Sequence, residues 1–173
     1  MISIFLNRIY RSIKIDPTVY DEVQKDKGAT VSAAIVVVIS SLAAGLAAKQ
    51  SGMGSFVLAP ILSLASWFVW AYIVYFVGVK LFPDPKTKTT HVALLRSIGF
   101  SSAPGIIRVL GFNSDLMTVT FVGSAFWMLA CMVVAVKETL NYKSLWKALG
   151  VVIVAWLVQA FALISVLALT SNF

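Results

Sequence analysis

The sequence predicts an all-α integral membrane protein, a five-helix transmembrane bundle with a short amphipathic N-terminal arm. Three observations carry that prediction. The 173 residues are 60% apolar and 12% charged, with a mean hydropathy of +0.92, whereas soluble domains are about half apolar and a quarter charged. Apolar runs of about 20 residues, the length that crosses hydrocarbon, recur along the chain. Lys and Arg fall between these runs in a two-sided pattern.

The arm comprises residues 1–28. At about 100° per residue, Ile2, Phe5, Leu6, Ile9 and Ile13 share one helical face, while Asn7, Arg8, Arg11 and Lys14 lie largely on the other. Such a helix suits a membrane surface, with cations at the phosphates; the alternative is a helix packed on the protein's own loops. Asp16 then reads as an N-cap with Pro17 at the first helical position. Residues 18–27 make a short polar helix, with Asp21 and Glu22 early and Lys25 and Lys27 late, as the helix dipole favours. Gly28 is expected to close it. Residues 16–27 form the most polar stretch and the expected partner-binding surface. Because Arg8, Arg11 and Lys14 interrupt the early apolar residues, no signal peptide is expected and the first span serves as the insertion signal.

The five-span domain covers 29–173, with spans at about 29–48, 55–79, 92–110, 116–136 and 148–170. A tight turn over 49–54 joins the first two. The second is longer than needed, so tilt or a bend at Pro60 is expected. The third carries Arg96 and Arg108, each within about two turns of an end, where arginine snorkels; Pro104 between them should bend it. Charge decides whether this stretch crosses. With five spans, one side receives five Lys/Arg on the arm, three in residues 80–90 and three in 137–147. The other receives Lys49 and Arg108. The N-terminus is therefore expected in the cytoplasm and the C-terminus on the opposite side.

Four segments carry a family resemblance: DPTVYDEV (16–23), WFVWAYIVYFVGVKLF (67–82), LLRSIGFSSAPGIIRVLG (94–111) and FWMLACMVVAVKETLNYKS (126–144). Residues 96–104 are the most specific. Together they resemble the Yip family, five-span proteins named for interacting with Ypt/Rab GTPases, and most of all its short bacterial members. The resemblance implies a cytoplasmic N-terminus, five spans and helical packing without catalysis, in a bacterial cytoplasmic (inner) membrane. Eukaryotic relatives are linked to Rab binding; their long N-terminal cytoplasmic region has no counterpart here, so Rab binding is not expected.

Motifs for chemistry are missing. There is no Gly-rich phosphate loop, HExxH, nucleophile elbow or carboxylate pair. His91 and Cys131 are each the single residue of their type, which gives no metal set and no intramolecular disulfide. No catalytic residue, metal or cofactor is expected, and the +7 charge is assigned to membrane orientation rather than nucleic acid.

The residues expected to meet lipid or a partner are Arg8, Arg11, Lys14, Asp21, Glu22, Arg96 and Arg108. Arg96 is a candidate to hold a lipid phosphate or a partner carboxylate; the competing role for both span arginines is anchoring. Gln159, polar within the fifth span, is expected to bond a neighbouring helix. Trp67, Trp70, Trp127 and Trp156 are expected to pack inside with their N–H groups partnered, and Tyr142 and Trp146 to anchor the interface. Small residues at four-residue spacing, Ser41 with Gly45 and Ser55, Ala59 and Ser63, should allow close helix approach. The function expected is a scaffold, adaptor or accessory subunit. Its expected partners are anionic head groups and a membrane or cytoplasmic protein, with a homo-oligomer or a larger complex left open. The alternative is a small permease or channel.

Overall fold

The computed structural model describes residues 2–47, 53–112 and 114–170, which form helices joined by short turns and loops and contain no strand. The order is α1 (Ile2–Ile13), α2 (Pro17–Lys25), α3 (Ala29–Ala47), α4 (Met53–Tyr75), α5 (His91–Ser101), α6 (Ser114–Thr139) and α7 (Leu145–Thr170). A π-helical segment, Phe76–Leu81, prolongs α4, and a 3₁₀ segment, Ala103–Phe112, follows α5. Among the described residues, five stretches are long and apolar enough to cross a membrane: Ala29–Ala47, Leu58–Leu81, His91–Gly111, Asp115–Thr139 and Leu145–Ala162. Most of the turn expected over 49–54 lies outside the described residues. The basic loop expected over 137–147 shrinks to 140–144, because α6 runs through Thr139 and α7 begins at Leu145.

The third span is the centre of the bundle. Its most apolar window is 61% buried, against 22–33% for the other four. It is also the least hydropathic of the five, which follows from its position: a helix solvated by protein needs less hydrocarbon character than one solvated by lipid. It is not one regular helix. α5 stops at Ser101, and the chain continues past Pro104 as 3₁₀ turns of three residues each. The expected bend at Pro104 is thus a change of helix type. By contrast, α4 runs unbroken through Pro60.

The change of type sets a period of three, which puts Gly105, Arg108 and Gly111 on one edge. That edge packs between α3 and α6. A Cβ on Gly105 would meet Met128 Sδ and Ser40 Cβ at 3.1 Å, and one on Gly111 would meet Thr120 Oγ1 at 2.6 Å. Six residues before Gly105 in the chain, Gly99 lies against Ala33, to whose Cβ a new Cβ would come within 2.7 Å. Ala33, Ser40 and Ala47 on α3, seven apart, therefore face Gly99, Gly105 and Gly111, six apart. The pair proposed from sequence makes no such contact among the described residues: none of them lies within 4 Å of a Cβ at Gly45, and the Ser41 hydroxyl bonds Val38 of its own helix.

Two apolar cores result. One joins α4, α5, α6 and α7 around Val74, Leu94, Ile98, Val136 and Val151. The other joins α2, α3, α5 and α6 around Val19, Tyr20, Val23, Ala33 and Phe100. Trp67 and Trp70 are held as expected, the first donating to Leu95 O (3.0 Å) and the second to Met132 Sδ (3.3 Å). Trp156, expected to pack inside, is 70% exposed, because its face of α7 has no neighbouring helix. Tyr142, expected at the interface, is buried instead. Its hydroxyl is shared between the carbonyls of Gly78 (2.7 Å) and Phe82 (2.8 Å), which the π segment leaves short of helical partners. Burial, then Asp84, push that hydroxyl up to about 12.

Candidate functional site

The arm is a helical hairpin docked along the bundle. α1 ends in a Schellman turn: Asp16 N–H donates to Arg11 O and Ile15 N–H to Ser12 O, each at 3.0 Å. This needs a left-handed residue, and Ile15 supplies it at φ 59°, a strained choice for a β-branched side chain. Asp16 then caps α2 by accepting from Thr18 N–H at 2.9 Å. The helix ends at Lys25, with Asp26 as its C-cap, rather than at Gly28. The expectation that residues 16–27 form an open surface fails for one face of α2. Val19, Tyr20 and Val23 have no solvent exposure at all, because they share a helical face pressed on Ala33, Phe100 and Ala135. Each such side chain contributes about 1.5–3 kcal/mol of burial.

α1 divides its apolar residues. Phe5, Ile9 and Ile13 pack on the bundle, while Ile2, Leu6 and Tyr10 are exposed. The turn between α1 and α2 reaches well down α6. Trp127 Nε1 donates to Ile13 O at 2.8 Å, and Cys131 Sγ to Ser12 O at 3.3 Å. Trp127 is about 18 Å from the Thr139 end of α6 at 1.5 Å per residue. The arm therefore lies beside the spans rather than over their loops.

Charges expected to meet lipid or a partner are largely used within the arm. Arg8 pairs with Glu22 and Asp26, each at 2.8 Å. Arg11 pairs with Asp16 (2.8 Å) and Glu22 (2.6 Å) and donates to Thr18 Oγ1 (2.7 Å). Asp21 receives Lys25 (2.7 Å) and Gln24 (3.0 Å). Lys14 stays exposed, with its ammonium 4.4 Å from the Tyr10 ring centre.

Three carboxyls of this network titrate low. Hydrogen bonds from Thr18 and then Arg11 hold Asp16 at about 2. Burial pulls Glu22 upward, but hydrogen bonds from Arg11 and Arg8 outweigh it and keep it low. Asp26 is held low by Arg8 first and by Gly28 N–H second. A carboxyl lowered in the folded state contributes stability above its unfolded pKa of about 4, and that contribution is lost as pH falls through the folded value. The arm's amide protection, its exchange rate relative to the unfolded chain at the same pH, is therefore expected to hold down to about pH 4 and to be lost progressively towards about pH 2. Protection that is flat across this window would show that the network does not hold the arm.

Arg96 locks the arm to the third span. It is 9% exposed; Nε donates to Thr30 Oγ1 (2.7 Å) and Nη1 to Gln24 O (2.9 Å). The second bond meets a last-turn carbonyl of α2, where a cation is favoured. Arg108 is remote from this cluster, with Nε donating to Ser124 Oγ at 2.8 Å and Cζ 5.3 Å from the Phe121 ring centre. Gln159 is half-buried on α7, and no bond from it to a neighbouring helix is seen among the described residues. Sequence reasoning missed Asp26, Thr30 and the Ile13 carbonyl. The Trp127–Cys131 spacing of four, which puts both on one face of α6, is the one sign in the sequence that could have marked the arm's seat.

A family model described as the Yip1 domain matches residues 15–167. The chain belongs to the Yip1 domain family. No curated protein and no solved structure matches it. The Yip1 match takes in α2, Arg96 and all five spans, so the α2 seam belongs to the Yip1 domain. α1 lies before the matched region.

Proposed function

We propose that this Yip1 domain protein is a non-catalytic scaffold, adaptor or accessory subunit working through a basic, aromatic rim on its arm-bearing side. One observation supports the reading. Lys80, Lys86, Lys88 and Lys143 are exposed among exposed Leu81, Phe82, Leu145 and Trp146, the last at 81%. The two loops that carry them are tied together. Thr87 Oγ1 donates to Leu140 O at 3.0 Å, and Lys147 donates to Pro83 O at 3.0 Å and pairs with Asp84. Cations interleaved with apolar and aromatic side chains at a membrane edge attract anionic head groups while the rings settle at their level.

In this reading the rim and the N-terminus face the cytoplasm, the C-terminus lies opposite, and the membrane is a bacterial cytoplasmic one. Lys14 and the exposed strip of Ile2, Leu6 and Tyr10 are left for a protein partner. The experiment replaces Lys86, Lys88 and Lys143 together by Glu and measures phosphatidylglycerol enrichment around the protein in mixed-lipid nanodiscs. At about 1 kcal/mol per lysine near an anionic surface, enrichment should fall about tenfold or more, with the melting temperature unchanged. Equal enrichment in a folded triple variant would end the reading.

A further inference from the structure

We infer that Arg108 is the phosphate-binding residue of a phospholipid site at the Gly111 end of the bundle, opposite the basic rim. An arginine inside a membrane span is costly, and those found there are paired or serve function. Among the described residues, no carboxylate lies within ion-pair distance of Arg108. Its contacts instead orient the group. Ser124 takes Nε at 2.8 Å, and the Phe121 ring covers the guanidinium at 5.3 Å. With that edge and that face used, the Nη1–Nη2 edge, which matches two phosphate oxygens, meets no acceptor among the described residues.

Position supplies the ligand class. Arg108 is three residues before the end of the span His91–Gly111, about 6 Å at the 3₁₀ rise of 2.0 Å per residue. That is within reach of the head-group layer for an arginine stem. Gly105 and Gly111, one turn to either side, let the backbone sink between α3 and α6 and fix the height of the guanidinium. Exposed Val109, Leu110 and Val122 flank it with an apolar surface for acyl chains. A lipid phosphate meets both demands at once, where free phosphate satisfies only the charge.

The test is lipid retention by the full chain after detergent extraction, read by native mass spectrometry. The unsubstituted protein should keep one phospholipid per chain. Arg108→Gln should lower its occupancy about tenfold, as loss of a charge-assisted pair implies. Ser124→Ala, which keeps the charge and frees its orientation, should lower it less, and Lys88→Glu on the rim should leave it alone. Inorganic phosphate should not displace the lipid. Three results would overturn the site: an unsubstituted protein that retains no phospholipid, a folded Arg108→Gln variant that retains it in full, or, should that variant not fold, Ser124→Ala retaining it in full. Displacement by inorganic phosphate would overturn the lipid assignment in favour of a free anion. Because the rim and Arg108 lie at opposite ends, failure of one leaves the other standing.

Discussion

Leucine at position 99 is expected to disrupt the bundle, and even alanine should destabilise it by about 2 kcal/mol. The alanine Cβ would lie 2.7 Å from Ala33 Cβ, 3.0 Å from Trp67 Cζ2 and 3.2 Å from Ala33 O. A Cβ and a backbone carbonyl cannot swing aside as a long side chain does, so α3 and α5 must separate. That separation also loosens the second core, since Ala33 and Phe100 both sit in it. The matched control is Gly45→Leu, at a site where none of the described residues lies within 4 Å of the added Cβ, which should melt like the unsubstituted protein. Thermal unfolding of the three variants decides the matter. Equal melting of the position-99 and position-45 variants would mean that the third span is not gripped at Gly99.

Arg96→Met is expected to release the arm while leaving the spans assembled. Methionine keeps much of the stem's volume but removes every donor, so Gln24 O and Thr30 Oγ1 lose their partner. Hydrogen bonds to a charged group are worth about 1.5–3 kcal/mol each, so the loss should be about 3 kcal/mol. It should appear as faster amide exchange over residues 17–25, with little change in α6 and α7. Arg96→Lys should recover only part, because one ammonium does not reproduce the two-pronged reach. Lys14→Met, which removes an exposed cation, should change nothing in α2. If Arg96→Met exchanges like the parent, the arm is held by its apolar face alone.

The helices that meet lipid were plain in the sequence because hydrocarbon imposes a length and a composition, and both are local properties. The arm's docking was obscured by its polarity. α2 carries three buried apolar residues among nine, and their neighbours Thr18, Asp21, Glu22 and Gln24 made the whole segment read as surface. Val19, Tyr20 and Val23 do share a helical face, and that was the available sign. The 3₁₀ segment was hidden by habit of period: at 100° per residue Gly105, Arg108 and Gly111 scatter, while at 120° they align. Arg8, Arg11 and Glu22 read as outward charges because their partners are defined only when the Ile15 turn folds α1 back on α2. Tyr142 and Trp156 changed places for a tertiary reason, since one meets freed carbonyls of the π segment and the other faces no helix.

The arm as a built-in part of the bundle is tested most directly by the reactivity of Cys131, which lies buried with Ser12 O on its sulfur. A membrane-permeant maleimide applied to the unsubstituted chain in bilayers reads how often the arm lifts away. The Arg96 bonds alone, at about 3 kcal/mol, correspond to a factor of about a hundred, so the unsubstituted chain should be modified at least about a hundredfold slower than denatured protein, and Arg96→Met about a hundredfold faster than the unsubstituted chain. Modification of the unsubstituted protein at the denatured rate would contradict the docked arm.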